Sequence, residues 1–166
     1  MREMNEIAER ARSGDKAAFA KLYEEVYQDL YHFAVWMLGH REDAEDVVAE
    51  TVMDAYRQIG SLRSAESFRG WIFRILSNKC RKVRKSYLQK SVELDAQTAD
   101  PAQDFTDDVM LRDLWQRLEP IDQEIIALHL FGGYTSKEIG EILGMKDVTV
   151  RSREHRALAR MRKEAV

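Results

Sequence analysis

The stretch REDAEDVVAETVMDAYRQIGSLRSAESFRGWIFRILSNKCRKVRK, Arg41 to Lys85, decides how the rest of the chain is read. Its first half, Glu42 to Ile59, carries Glu42, Asp43, Glu45, Asp46, Glu50 and Asp54, with no Lys or Arg before Arg57. Ala44, Val47, Val48, Val52, Ala55, Tyr56 and Ile59 recur at helical spacing, so one stripe is expected to face a core while the acids face outward. The second half, Phe68 to Lys85, carries Arg69, Arg74, Lys79, Arg81, Lys82, Arg84 and Lys85 without an acid, interleaved with Phe68, Trp71 and Phe73. Gly60 to Ser67 between them reads as a polar loop. A phosphate backbone suits the basic half and a basic protein surface suits the acidic one. Taken singly, each half also reads as an ordinary solvated helix. Their order, and the C-terminal third of the chain, decide between these readings.

Working outward toward the N-terminus, Glu3 to Ala11 reads as a short charged helix ending near Ser13-Gly14. Asp15 is placed to cap a helix from Lys16, where Phe19, Leu22, Tyr23, Val26 and Tyr27 form an apolar stripe. A further run, Leu30 to Leu38, is expected to pack against that helix and to stop at Gly39. With Phe68–Tyr87 these runs predict a bundle that buries Trp36 and Trp71. Beyond it the composition shifts. Residues 91–108 hold Glu93, Asp95, Asp100, Asp104, Asp107 and Asp108 with Pro101, the pattern of an acidic flexible linker.

With 166 residues the chain has room for one ordinary domain or two small ones. Two prolines, eight glycines and no sustained β-branched alternation predict an all-α protein. The net charge of -3 conceals segregation: acids fill 42–54 and 93–108, bases fill 69–90 and 151–163. Cys80 is the only cysteine, which excludes an internal disulfide and a cysteine-based zinc cluster. The four histidines lack metal-ligand spacing, so no metal and no cofactor is expected. No nucleophile–base pair or phosphate-cradling glycine loop emerges, so no catalytic residue is assigned and an enzyme is not expected. No apolar run approaches the ~20 residues of a membrane span. The first residues alternate charges instead of forming a signal core. A cytoplasmic protein without membrane insertion is expected.

The C-terminal unit, 109–166, opens with the stripe Val109, Leu111, Leu114, Trp115 and Leu118, and Pro120 starts the next helix. An apolar run then stops at Phe131-Gly132-Gly133. Thr135 and Glu138 have capping-box spacing, Gly144 makes a tight turn, and Asp147 is placed to cap a last helix. Short helix, glycine turn and basic helix are the sequence form of a helix-turn-helix. On the last helix Thr149, Ser152, Arg153, Arg156 and Arg160 share one side, the donors a major-groove helix needs for base edges and phosphates. On the N-terminal unit, 1–90, the spacing of Arg69, Arg74, Asn78 and Lys82 places them near one another beside the polar loop. Basic groove and stacking surfaces together suit single-stranded nucleic acid. The Asn78 amide both donates and accepts, as a base reader must.

Four motifs now occur in order: Gly14-Asp15 with Ala18-Phe19, Asp43-Ala44-Glu45-Asp46-Val47-Val48, Phe68 to Asn78 with Trp71-Ile72-Phe73-Arg74, and Thr149-Val150-Arg151-Ser152-Arg153. The chain resembles the bacterial RNA polymerase sigma factors of the extracytoplasmic-function (ECF) group, over about 10–88 and 109–163. That resemblance implies two small helical domains, the first docking on core RNA polymerase and the second on the −35 element. Asp43, Asp46, Val47 and Glu50 would meet the β′ clamp helices, and the β flap is a further implied contact. Leu62, Arg63, Ser64, Phe68 and Asn78 would form a pocket for a flipped base of the single-stranded −10 element, with Arg69, Arg74, Lys79, Arg81 and Lys82 holding the strands. Thr149, Ser152, Arg153, Arg156 and Arg160 would read duplex DNA at −35. An anti-sigma factor is an implied partner. Four features depart from the family pattern: Ala49 before Glu50, the Lys146-Asp147-Val148 turn, Glu154 in a normally apolar place, and Leu62 where an aromatic is frequent. Two rival readings follow from the same residues: a helix-turn-helix regulator that never docks on polymerase, and a helical protein-interaction adaptor.

Overall fold

Helix starts and stops follow from local chemistry. In the structure, a computed structural model that describes residues 2–93 and 108–165, all regular structure among the described residues is helical. Helix α1 (Arg2–Arg12) leads through Gly14 to α2 (Lys16–Leu38). The Asp15 carboxylate accepts from the Ala18 N–H at 3.2 Å, and the Arg10 guanidinium 2.8 Å away, with that N–H, holds its carboxyl below the usual range. The expectation of two runs between Lys16 and Leu38 is corrected: α2 is one helix of 23 residues. No glycine or proline interrupts it, and Leu30 continues the stripe of Leu22 and Val26, so nothing in the backbone ends the first run. Gly39, at φ 71°, stops it by donating to the Val35 carbonyl at 2.8 Å.

Helix α3 (Arg41–Gln58) carries the acids and α4 (Phe68–Glu93) the bases. The loop between them contains two single 3-10 turns, Ile59–Ser61 and Ala65–Ser67. Helix α4 reaches into the segment expected to be a linker, and the remainder of that segment, 94–107, lies outside the described residues. The second unit comprises α5 (Val109–Gln116), α6 (Pro120–Leu130), α7 (Ser136–Leu143) and α8 (Asp147–Ala165). Only half of the expected capping box forms. The Thr135 hydroxyl oxygen accepts from the Glu138 N–H at 3.2 Å, while the Glu138 carboxylate accepts from that hydroxyl and leaves the Thr135 backbone N–H alone. Between α7 and α8 the chain crosses so closely that a Cβ on Gly140 would lie 2.5 Å from the Met145 carbonyl oxygen. The turn is built on that missing side chain.

Phe33, Phe73, Leu22, Leu30, Ile72 and Leu76 are fully buried in the first unit, and Ile125, Leu128, Ile139 and Val150 in the second. Each such side chain contributes roughly 1.5–3 kcal/mol relative to exposure. Trp36 and Trp71 are only half-buried, not enclosed as expected, because each lies at the edge of the bundle. Trp36 meets the second unit there. Its ring packs edge-on against Trp115 at 5.1 Å, and the Trp115 indole donates to the Trp36 carbonyl at 2.9 Å. The two units thus share one continuous apolar cluster, with α6 seated on α2. No described helix is long and apolar enough to cross a membrane.

Candidate nucleic-acid and polymerase interfaces

On α3, burial divides the residues expected to meet a protein partner. Asp46 and Glu50 are exposed, together with Glu42, Glu45, Ala49 and Met53. Val47 is buried beside Ala44, Val48 and Ala55, so its side chain belongs to the core stripe and offers no outer contact. Asp43 is half-buried because the Tyr87 hydroxyl of α4 donates to it. That bond and burial hold the phenol well above its ordinary range, burial being the larger cause. Asp43 therefore ties α3 to α4.

The loop shows a similar division. Leu62 and Phe68 are almost fully enclosed, so they anchor the loop from beneath and cannot present a face to a base as they stand. Arg63, Ser64, Glu66 and Ser67 are exposed. Beside them opens a cavity of about 770 Å³, lined by Arg63, Ser64, Trp71 and Arg74 from the first unit and by Tyr134 and Glu138 from the second.

The basic face of α4 is largely engaged. The Arg69 guanidinium donates to Asp29 at 2.7 Å and to the backbone carbonyls of Phe131 at 2.6 Å and Gly132 at 3.2 Å. Those partners take Arg69 out of the expected cluster, while Arg74, Asn78 and Lys82 are exposed. Lys79 meets Asp54 at 2.7 Å and lowers that carboxyl's pKa; Glu50 is more distant at 3.9 Å. Lys79 is a staple between α3 and α4. Arg81 donates to Glu124 of α6 at 2.5 Å and to Asn78 at 3.3 Å, and Ser77 donates to the same Glu124 carboxylate at 2.8 Å. Arg84 donates to Gln123, and the Tyr134 hydroxyl to the Gly70 carbonyl. Gly132 makes this seam possible, since a Cβ there would lie 2.6 Å from both the Leu128 carbonyl oxygen and the Tyr134 ring. Cys80, fully buried beneath, has its thiol pushed up to about 12, chiefly by burial.

Sequence reasoning missed Asp29, Gln123, Glu124, Tyr87 and Tyr134. For two of them a signal existed: Asp122-Gln123-Glu124 interrupts the apolar run Ile121 to Leu128, and of these Gln123 and Glu124 are buried. A polar pair inside an apolar stripe must find partners.

Helix α8 exposes Thr149, Ser152, Arg156 and Arg160. Arg153 departs from the expected common face. It sits on the flank of the stripe nearest α6 and donates to Asp122 at 3.0 Å and Glu119 at 3.4 Å, which raise its already high pKa. Arg156 donates to the Ser152 carbonyl at 3.3 Å and Arg160 to Glu164 at 3.2 Å, both one turn away. Glu154 is half-buried at the edge of the unit, where a carboxylate is tolerable.

A helical unit with an acidic and a basic helix, followed by a helix-turn-helix, defines the class. The family model for Sigma-70 region 2 matches residues 22–90, and that for Sigma-70 region 4 matches residues 115–163. The ECF RNA polymerase sigma factor SigW of Bacillus subtilis is 31% identical over 92% of this chain and 91% of its own. The chain belongs to the ECF RNA polymerase sigma factors. Similarity extends to the ECF sigma factor BldN of Streptomyces coelicolor, 25% identical over 93% of this chain, and SigE of Mycolicibacterium smegmatis, 30% identical over 90%. The matches cover 63% of the length of each of these two relatives. Among solved structures, the fold is similar to RpoE of Bartonella quintana in complex with the anti-sigma factor NepR, with a TM-score of 0.72 at 24% identity over 87% of this chain and 94% of that one. It is also similar to CnrH in complex with the cytosolic domain of CnrY, with a TM-score of 0.70 at 23% identity over 98% and 96%.

Proposed function

We propose that this chain is a cytoplasmic transcription initiation factor, not an enzyme, that binds core RNA polymerase and directs it to promoters. One observation carries the reading: a single chain presents an exposed acidic face on α3, a basic face on the adjacent α4, and an exposed recognition helix on α8. A free-standing DNA-binding regulator needs only the last of these. Asp46 and Glu50 meet the polymerase, on a surface shared with Glu42 and Glu45. Arg63, Ser64, Arg74, Asn78 and Lys82 receive the −10 strand, and Thr149, Ser152, Arg156 and Arg160 read −35 DNA. Arg69, Lys79, Arg81 and Arg153 take part only by exchanging present partners for phosphates. Two of these, Arg69 and Arg81, hold groups of the second unit, so strand capture along the whole of α4 requires the units to part. Extracting a base costs a few kcal/mol, which a selective pocket offsets only for the right base. Promoter choice and strand opening are then one event. An anti-sigma factor, of the kind found in complex with RpoE, would have to cover the polymerase-binding faces of both units.

Run-off transcription from a candidate promoter with core polymerase, with and without this chain, tests the reading. Protein-dependent initiation is expected, and core binding is scored in the same reaction. Absence of both initiation and core binding refutes the docking reading and leaves the regulator. Asn78→Ala is expected to alter −10 base preference and leave duplex −35 affinity unchanged; a uniform loss on all templates makes Asn78 structural.

A further inference from the structure

Helix α1 is strongly charged on its outer side, yet what it covers is the loop assigned above to the −10 base. It packs on α2 and against both 3-10 turns, Ile59–Ser61 and Ala65–Ser67. Its inward residues are Ala8 and Ala11, each 1% exposed, and their small side chains let the helix approach the loop closely. Leu62 and Ala65 are buried from the loop's side, leaving Arg63 and Ser64 as the exposed segment between two pinned points.

At that segment the last residue of α1 intervenes. The Arg12 guanidinium is clamped on its own helix by both Glu9 carboxylate oxygens, at 2.9 Å each. Its other terminal nitrogen donates to the Arg63 backbone carbonyl at 3.4 Å. The Arg12 Nε is buried without a hydrogen-bond partner among the described residues. A buried donor left unmatched has a cost, and such groups call for an explanation in what the side chain achieves elsewhere. The loop's own polar ties are short-range: Ser61 donates to Gln58, and Ser67 to Ser64. Neither reaches the Arg63 peptide.

We propose that Arg12 is a positioning residue for −10 base selection: clamped by Glu9, it fixes the Arg63 carbonyl and so sets where Arg63 and Ser64 stand relative to the flipped base. The proposal rests on the promoter-recognition reading given above. Discrimination between bases depends on groups held within about 0.5 Å of the productive geometry, which a released loop no longer provides.

The test uses the full chain with core polymerase and a fork-junction DNA library, randomised at the −10 and the −35 positions and sequenced after capture. Arg12→Met keeps the aliphatic stem and removes the guanidinium; it is expected to flatten base preference at −10 by roughly three- to tenfold and to leave −35 preference as in the unaltered chain. Arg12→Lys, which retains a donor, recovers part of the preference, and Glu9→Gln gives an intermediate loss. Thermal unfolding of each variant shows that it is folded. Unchanged −10 preference in folded Arg12→Met overturns the proposal, as does an equal loss at −10 and −35, which is what a merely structural role gives. If the unaltered chain enriches no −10 sequence, the recognition reading fails first, and that failure is visible before any variant is compared.

Discussion

The two basic helices of this molecule hold their cations in different ways. On α8 the partners of Arg151, Arg156 and Arg160 lie one turn along the same helix, and Arg153 reaches Asp122 of α6 and Glu119 just before it, both in its own unit. On α4, Arg69, Arg81 and Arg84 reach across a seam to Phe131, Gly132, Glu124 and Gln123. A surface pair between neighbours on a helix contributes a few tenths of a kcal/mol and exchanges readily for a phosphate. A cation shared with another unit is released only when the unit moves. On the proposed reading, α8 can exchange its partners for DNA as it stands, and α4 is held closed by the other half of the protein.

The largest expected effect comes from removing the buried carboxylate of Glu124 in the seam. Glu124→Ala leaves Ser77, itself 1% exposed, and Arg81 without their acceptor, and is expected to cost roughly 1–3 kcal/mol in urea unfolding of the full chain. Glu164→Ala, which frees Arg160 at the surface and leaves Arg117 paired with Asp113 at 2.7 Å, should stay within about 0.5 kcal/mol. Equal losses from both would erase the distinction between the helices.

Within α8 the comparison sharpens. Arg156→Ala is expected to weaken −35 duplex binding by roughly 1–3 kcal/mol if its guanidinium forks onto a base, with no change in unfolding. Arg153→Ala should lower DNA binding and stability together, since Asp122 loses its partner. Footprints unchanged in both variants would remove these residues from the −35 reading.

The smallest effect is one of pH. Tyr134 donates to the Gly70 carbonyl across the seam, and burial raises its phenol above the ordinary value of 10.0. As pH rises past that ordinary value, the unfolded chain gives up the proton and the folded one keeps it. The unfolded state then binds fewer protons, so stability falls with rising pH. Tyr87 adds to the same trend. The buried Cys80 thiol, raised from 9.0 to about 12, starts the same trend earlier, so the urea midpoint is expected to fall from about pH 8 upward, less steeply above about pH 9 in Tyr134→Phe.

Much of the fold could be read from pattern. Asp15, Gly39, Pro120, Thr135 and Gly144 act through the backbone of their immediate neighbours, so their capping roles need no tertiary information. The acidic and basic helices were equally legible, because side-chain period depends only on helix geometry. What escaped was every property decided by a distant residue. Val47, Leu62 and Phe68 were placed in sites although the packing encloses them, since a motif position does not reveal which side chains lie beneath it. Asp43 was read as free because nothing near it in sequence announces Tyr87. The counter-ions of α4 escaped for the same reason: Arg81 and Glu124 are 43 residues apart, and a charge pattern shows that cations exist without showing what holds them.

The claim that the units must part for α4 to hold a strand is open to one direct measurement. Exposed Lys85 of α4 and Lys137 of α7, each replaced by cysteine, accept spin labels, while the buried native Cys80 stays unlabelled. The distance between labels is measured for the free chain and again with core polymerase and a fork-junction promoter fragment. One narrow distance in the free chain, replaced by a longer one in the complex, is the expected result. An unchanged distance in a complex where Arg81 crosslinks to the −10 strand would contradict it.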